Sequence, residues 1–109
     1  MEQRDPNKAI DYMLSNSKKY AKAKAERIYL EEYRKSLKAL LMKSSTENAI
    51  GAQEREAYAH EDYRQLLEGI RDAVEIEEKL RWDLVAAQAA VEVWKAQYYV
   101  DNRTDKSMK

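Results

Sequence analysis

The sequence predicts an all-α protein: a long antiparallel helical hairpin of coiled-coil type that assembles into a helical bundle as an oligomer. Three observations carry this. The 109 residues include two glycines and one proline, and they are rich in Ala, Glu, Lys, Leu and Arg, the composition of long helices and coiled coils. Tyr63, Leu66, Ile70, Ala73, Glu77, Leu80, Leu84, Ala87, Val91, Trp94 and Tyr98 follow one another in steps of three and four, which is a heptad seam. Charge is divided along the chain. Residues 7–44 carry ten bases and four acids, whereas residues 45–101 carry thirteen acids and six bases. A net charge of zero thus conceals a basic half and an acidic half that attract each other.

The predicted organisation is a single helical domain over 1–109. The first helix begins at Asp5-Pro6, with Asp5 as cap and Pro6 at the first helical position, and runs to about 43. Ser44 and Glu47 have the spacing of a capping box, so the chain breaks near 44 and a helix restarts. If that restart ran unbroken to 101, the second helix would span about 81 Å against about 57 Å for the first, and its most apolar end would hang free. The favoured reading makes 44–60 a connector with a short helix of its own. Helix two then covers about 61–101, with Glu61 and Asp62 suiting its first turn through the macrodipole. Residues 102–109 are expected to be a flexible tail. Disorder is the competing reading for so polar a chain, but the 44% apolar content recurs with helical spacing.

Two features point beyond one hairpin. In helix two a second stripe, Trp82, Val85, Ala89, Val93, Ala96 and Val100, lies away from the seam and is the expected oligomer interface, because one partner helix cannot cover both sides. In helix one the early apolar set (Ile10, Met13, Leu14, Ser17, Ala21, Ala25, Ile28) and the later set (Leu30, Tyr33, Leu37, Leu40, Leu41) fall on nearly opposite faces. A switch is therefore expected at 28–30, where the coil unwinds or the helix passes from one partner to another. Glu77 is the one charged seam position, and two readings stand: a partner in Lys24 or Arg27, or an escape to solvent at the seam's edge.

Catalysis finds little footing, and no catalytic, cofactor or metal residue is expected. The chain has no cysteine, which removes thiolate nucleophiles, disulfides and cysteine zinc sites. His60 is the single histidine. It sits four positions after Glu56, which is not the spacing of helical di-iron sites, so it reads as a surface or cap residue. Glu75, Glu77 and Glu78 lack the loop that organises a hard cation and read as a solvated face. No phosphate loop exists with glycine only at 51 and 69. No run of about 18 apolar residues predicts a membrane span. The N-terminus has no apolar core for a signal peptide, so a cytoplasmic location is expected. Lys24, Arg27, Arg34, Lys35 and Lys38 share one side of helix one and are the candidate nucleic-acid contacts. Tyrosines at helical spacing are more often core than stacking platforms, and a pI near 6.6 argues against a strong DNA binder.

Tyr20 to Lys43 (YAKAKAERIYLEEYRKSLKALLMK) and Ala57 to Gln97 resemble a group of small helical early-region proteins of tailed bacteriophages and prophages. The distinctive pieces are Tyr29-Leu30-Glu31-Glu32, Arg34-Lys35-Ser36, Leu40-Leu41-Met42-Lys43, Arg81-Trp82 and Val93-Trp94-Lys95, within a similarity covering about 8–103. Such proteins are met near recombination and replication genes, and no catalytic residue comes with the group. The resemblance implies a non-enzymatic accessory protein in the host cytoplasm. It would bind another protein of phage or host DNA metabolism, modulating DNA recombination or replication machinery, while self-association is expected from the apolar stripe of helix two. A nucleic-acid binder and a structural or assembly chaperone are the alternatives.

Overall fold

The computed structural model describes residues 5–107, with side chains described as far as Arg103. Three helices follow in order: α1 (Pro6–Lys43), α2 (Ile50–Ala59) and α3 (Glu61–Ser107). Among the described residues there is no strand.

Each boundary has a local cause. Asp5 accepts a hydrogen bond from the Asn7 amide at 2.9 Å. This satisfies one of the amide donors that open α1, and Pro6 has no amide to leave bare. At the other end the Ser44 hydroxyl donates to the Leu41 carbonyl at 3.1 Å, and the last turn tightens through the Ser45 amide on Met42.

The expected capping box does not form. Glu47's amide donates to Ser45 Oγ at 3.1 Å, not to Ser44, and α2 begins only at Ile50 after Ala49, which lends no side-chain cap. Ser44 is engaged by the helix it ends. The connector is tied down instead by Ser45 Oγ donating to Glu56 at 2.5 Å and by Gln53 Nε2 donating to the Glu47 carbonyl at 2.8 Å.

His60 separates α2 from α3 with an extended backbone, φ −68° and ψ 142°. Its Nδ1 accepts the Asp62 amide at 3.0 Å, so the imidazole caps α3, and Glu61 and Asp62 fill the first turn. α3 runs through Ser107, past the end expected near 101. Asp101-Asn102-Arg103 holds neither glycine nor proline, so nothing local stops the hydrogen-bond ladder. Residues 108 and 109 of the expected tail lie outside the described residues.

The chain divides into two compact units. One joins α1 through Ala21 with α3 from Glu78 onward; the other is Lys22–Glu77. In the second unit the buried residues are Ala57, Tyr63, Ala73 and Glu77. Tyr58 meets Tyr63 edge-on, centroids 5.2 Å apart, a favoured aromatic geometry. In the first unit the buried residue is Ala87. Alanine at three of these five positions lets backbones approach closely.

The seam of α3 accounts for its burial. Tyr63, Ala73, Glu77 and Ala87 are buried, and Leu66, Ile70, Leu80, Leu84 and Val91 are half-buried. Within this chain the covered line of α1 does not change face at 28–30. Of the early set only Met13 is half-buried, while Ile10, Leu14, Ser17, Ala21, Ala25 and Ile28 are exposed. The half-buried residues of α1 include a line, Ala9, Tyr12, Asn16, Tyr20, Ala23, Arg27, Leu30, Leu37 and Leu41, that keeps steps of three and four apart from one gap at exposed Arg34. An apolar-only pattern misses this line because polar residues sit on it. Asn16 Nδ2 donates to the Tyr12 carbonyl at 2.9 Å, and Arg27 has a carboxylate partner.

Candidate interaction surfaces

Within the second unit the guanidinium of Arg27 forks onto Glu77. Nε donates to one carboxylate oxygen and Nη2 to the other at 3.1 Å. Nη1 reaches Glu31, one turn on, at 3.0 Å. Glu77 is 5% exposed, so it is neither part of a solvated acidic face nor escaping at the seam's edge. The hydrogen bond to Glu77 is the main cause that holds Arg27's pKa above its ordinary range, against the opposing effect of desolvation. A two-toothed arginine–carboxylate contact fixes orientation as well as charge. Of the other two acids, Glu78 takes Arg81 at 2.8 Å and Glu75 is exposed. Among the described residues no group of three His, Asp or Glu could hold a metal ion.

The five candidate nucleic-acid contacts of α1 have different fates. Arg27 is turned onto Glu77. Lys38 lies over the Tyr58 ring, 4.7 Å from its centroid, and 3.6 Å from Glu54. The Tyr58 hydroxyl leads the causes that raise its pKa. Lys35 pairs with Glu32 at 3.4 Å, with both side chains solvated. Lys24 and Arg34 are exposed. The structure thus leaves Lys24, Arg34 and Lys35 on the surface and takes Arg27 and Lys38 into contacts with α3 and α2.

His60 and Glu56 do not converge. The imidazole caps α3 and lies 3.8 Å from Asp62, while Glu56 holds Ser45. The one-helix premise of their spacing fails because α2 ends at Ala59. A shallow depression in the second unit is lined by Ala23, Glu26, Leu30, Gly69, Asp72, Ala73 and Ile76. A Cβ built on Gly69 would meet nothing within 4 Å.

In the first unit Asp83 of α3 takes Lys79 at 2.6 Å and faces Tyr12 of α1. Lys79's hydrogen bond is the main cause that lowers Asp83's pKa, with Tyr12 adding to it. Tyr12 is pushed up, first by desolvation and then by the charge of Asp83. Sequence reasoning missed this trio. Its one signal was a tyrosine on the α1 line whose hydroxyl needs a polar end to reach.

In the first unit the expected interface stripe of α3 is exposed. Trp82 is 58% exposed, Val85 41%, Val93 64% and Val100 62%; Ala89 and Ala96 are exposed too. Arg81 stacks on the Trp82 ring at 4.6 Å, a contact that leaves more than half of the residue in solvent. Every residue from Glu92 to Asp101 is exposed, including the seam residues Trp94 and Tyr98, which stack on each other at 5.4 Å. Burial on α3 fades at Val91. Among the described residues no helix is long and apolar enough to cross a membrane.

Compared with family models, with curated proteins and with solved structures, the chain matches none of them.

Proposed function

We propose that this chain is a non-enzymatic accessory protein that acts by binding other proteins, first a second copy of itself. The observation that carries this is the outer face of α3, where Trp82, Val85, Val93 and Val100 are between 41% and 64% exposed with Ala89 and Ala96 between them. Large contiguous apolar surface on a soluble chain marks an interaction site. In this reading α1 and α3 form an antiparallel hairpin, and two hairpins complete a bundle in the cytoplasm. In the second unit Arg27 of α1 meets Glu77 of α3, a contact that a hairpin of these two helices makes. A role in a phage-encoded pathway, modulating DNA recombination or replication machinery, rests on the resemblance of Tyr20–Lys43 and Ala57–Gln97.

Direct nucleic-acid binding ranks second. Lys24, Arg34 and Lys35 are exposed, but Arg27 and Lys38 are engaged within the chain. The test is affinity capture from phage-infected cells with the tagged protein and with its Val93→Glu variant. The tagged protein should retain untagged copies and a DNA-metabolism protein, and the variant should lose the copies. Retention of neither by the tagged protein, or of nucleic acid alone, contradicts the proposal.

A further inference from the structure

The outer stripe of α3 has an internal symmetry that selects how a second copy would sit. Successive residues of an α-helix turn by about 100°. On that rule Glu78, Trp82, Val85, Ala89, Val93, Ala96, Val100 and Arg103 all lie within about 40° of one line, on the side of α3 away from its seam. The apolar members are exposed, as is Arg103, and Glu78 is half-exposed beside Arg81. The stripe therefore has an acid at one end, a base at the other and no charge between them. Its residues are also spaced about a common midpoint near residue 91. Trp82 and Val100 are equidistant from it, as are Ala89 and Val93; Val85 with Ala96, and Glu78 with Arg103, centre half a residue away.

We infer that this stripe is a two-fold docking surface for a second copy of the chain, with the two α3 helices antiparallel and crossing near residue 91. This rests on the self-association proposed above and adds its register. In that arrangement Trp82 packs on Val100 of the other copy, Val85 on Ala96, and Ala89 on Val93. Large residues then meet small ones at each step, and the alanines admit close approach. Glu78 of each copy reaches Arg103 of the other, so two ion pairs close the ends. A parallel two-fold pairing would set Trp82 on Trp82, Glu78 on Glu78 and Arg103 on Arg103. Like charges would then repel at both ends, and the helix dipoles would align instead of opposing. In the first unit the covered residues Leu80, Leu84, Ala87 and Val91 lie on the seam, on the far side of α3 from the stripe.

The chain has no cysteine, so single cysteines can carry spin labels without background. Glu92→Cys and Asp101→Cys lie off the stripe, one near its midpoint and one near its end. Pulsed dipolar spectroscopy should give a short intermolecular distance at 92, where the axial offset is about 3 Å, and a long one at 101, where it is about 30 Å. Short distances at both positions from a dimer would overturn the antiparallel register while leaving self-association standing. A labelled protein that sediments as a monomer would overturn both. As an independent check, Glu78→Arg and Arg103→Glu should each weaken the dimer about threefold, the range of exposed ion pairs, and the double variant should restore it. Weakening that adds up in the double variant contradicts the pairing.

Discussion

Arg27 of α1 and Glu77 of α3 form a forked ion pair inside an otherwise apolar line of side chains. Ala73 and Leu80 flank Glu77 along the seam. Slipping α1 by one turn would set Ala23 or Leu30 against the carboxylate and leave it buried without a partner, which is strongly destabilising. The pair should therefore specify register more than it adds stability. Replacing both members by apolar residues is often neutral or better, whereas removing one is not.

Arg27→Leu and Glu77→Leu should each lower Tm, on the order of 10 °C, with Arg27→Leu the more damaging because it strands the buried carboxylate. The double variant should recover most of the loss. Thermal unfolding followed by circular dichroism checks this, and a double variant no more stable than the sum of its parts would sink it.

The Tyr12–Asp83–Lys79 trio predicts stability limits at both ends of the pH scale. Asp83 is held below the usual carboxylate range, chiefly by Lys79. Its contribution is present above the unfolded value, about 3.9, and is lost as pH falls through the lower folded value. Tyr12 and Lys79 are both raised, Tyr12 chiefly by desolvation and Lys79 chiefly by Asp83. Their contributions are whole below about pH 10 and are lost as pH rises through the folded values. Tyr12→Phe should flatten the fall of Tm above about pH 10 and leave the acid limb in place, since Lys79 still holds Asp83. An unchanged alkaline limb would show that the contact has no influence.

His60 is a cap in this structure, so its substitution should affect stability and not binding. His60→Ala should lower Tm by a few degrees, about the effect of losing one helix cap, and His60→Asn should restore it. Capture of copies and partners should be the same in all three proteins. Loss of partner capture in a folded His60→Ala protein would give the imidazole a role that its contacts do not suggest.

Much of this was legible because the signals were local. Asp5-Pro6 and Glu61-Asp62 mark helix starts through amide donors and dipoles that act within one turn. The seam of α3 showed through because most of its members are apolar. The line of half-buried residues on α1 was not legible: Asn16, Arg27, Tyr12 and Tyr20 lie on it, and polar groups are read as buried only when their partners are known. For Glu77 a partner in Lys24 or Arg27 stood beside an escape to solvent, and choosing Arg27 required the geometry across two helices. The misplaced capping box has a similar cause. Ser44 and Ser45 both offer a hydroxyl, and the end of α1 took the first.

The basic side of α1 gives a direct contrast with DNA binding. Affinity carried by Lys24, Arg34, Lys35 and Lys38 would fall steeply with salt as counterions are released. At ~0.15 M salt, where screening acts over about 8 Å, binding of short single- or double-stranded DNA should be weak. Replacing the four with Gln should change it little. Sub-micromolar binding that the four-fold variant abolishes would put the nucleic-acid reading first.

Self-association through α3 is tested most directly by sedimentation equilibrium at micromolar concentration, on the native chain and on Val93→Glu. The native chain should sediment at about twice its 12.8 kDa mass. Val93→Glu, which would bury an unpaired charge in the contact, should shift it toward the monomer, and Glu92→Ala should not. A native chain that stays at 12.8 kDa at every concentration would contradict it.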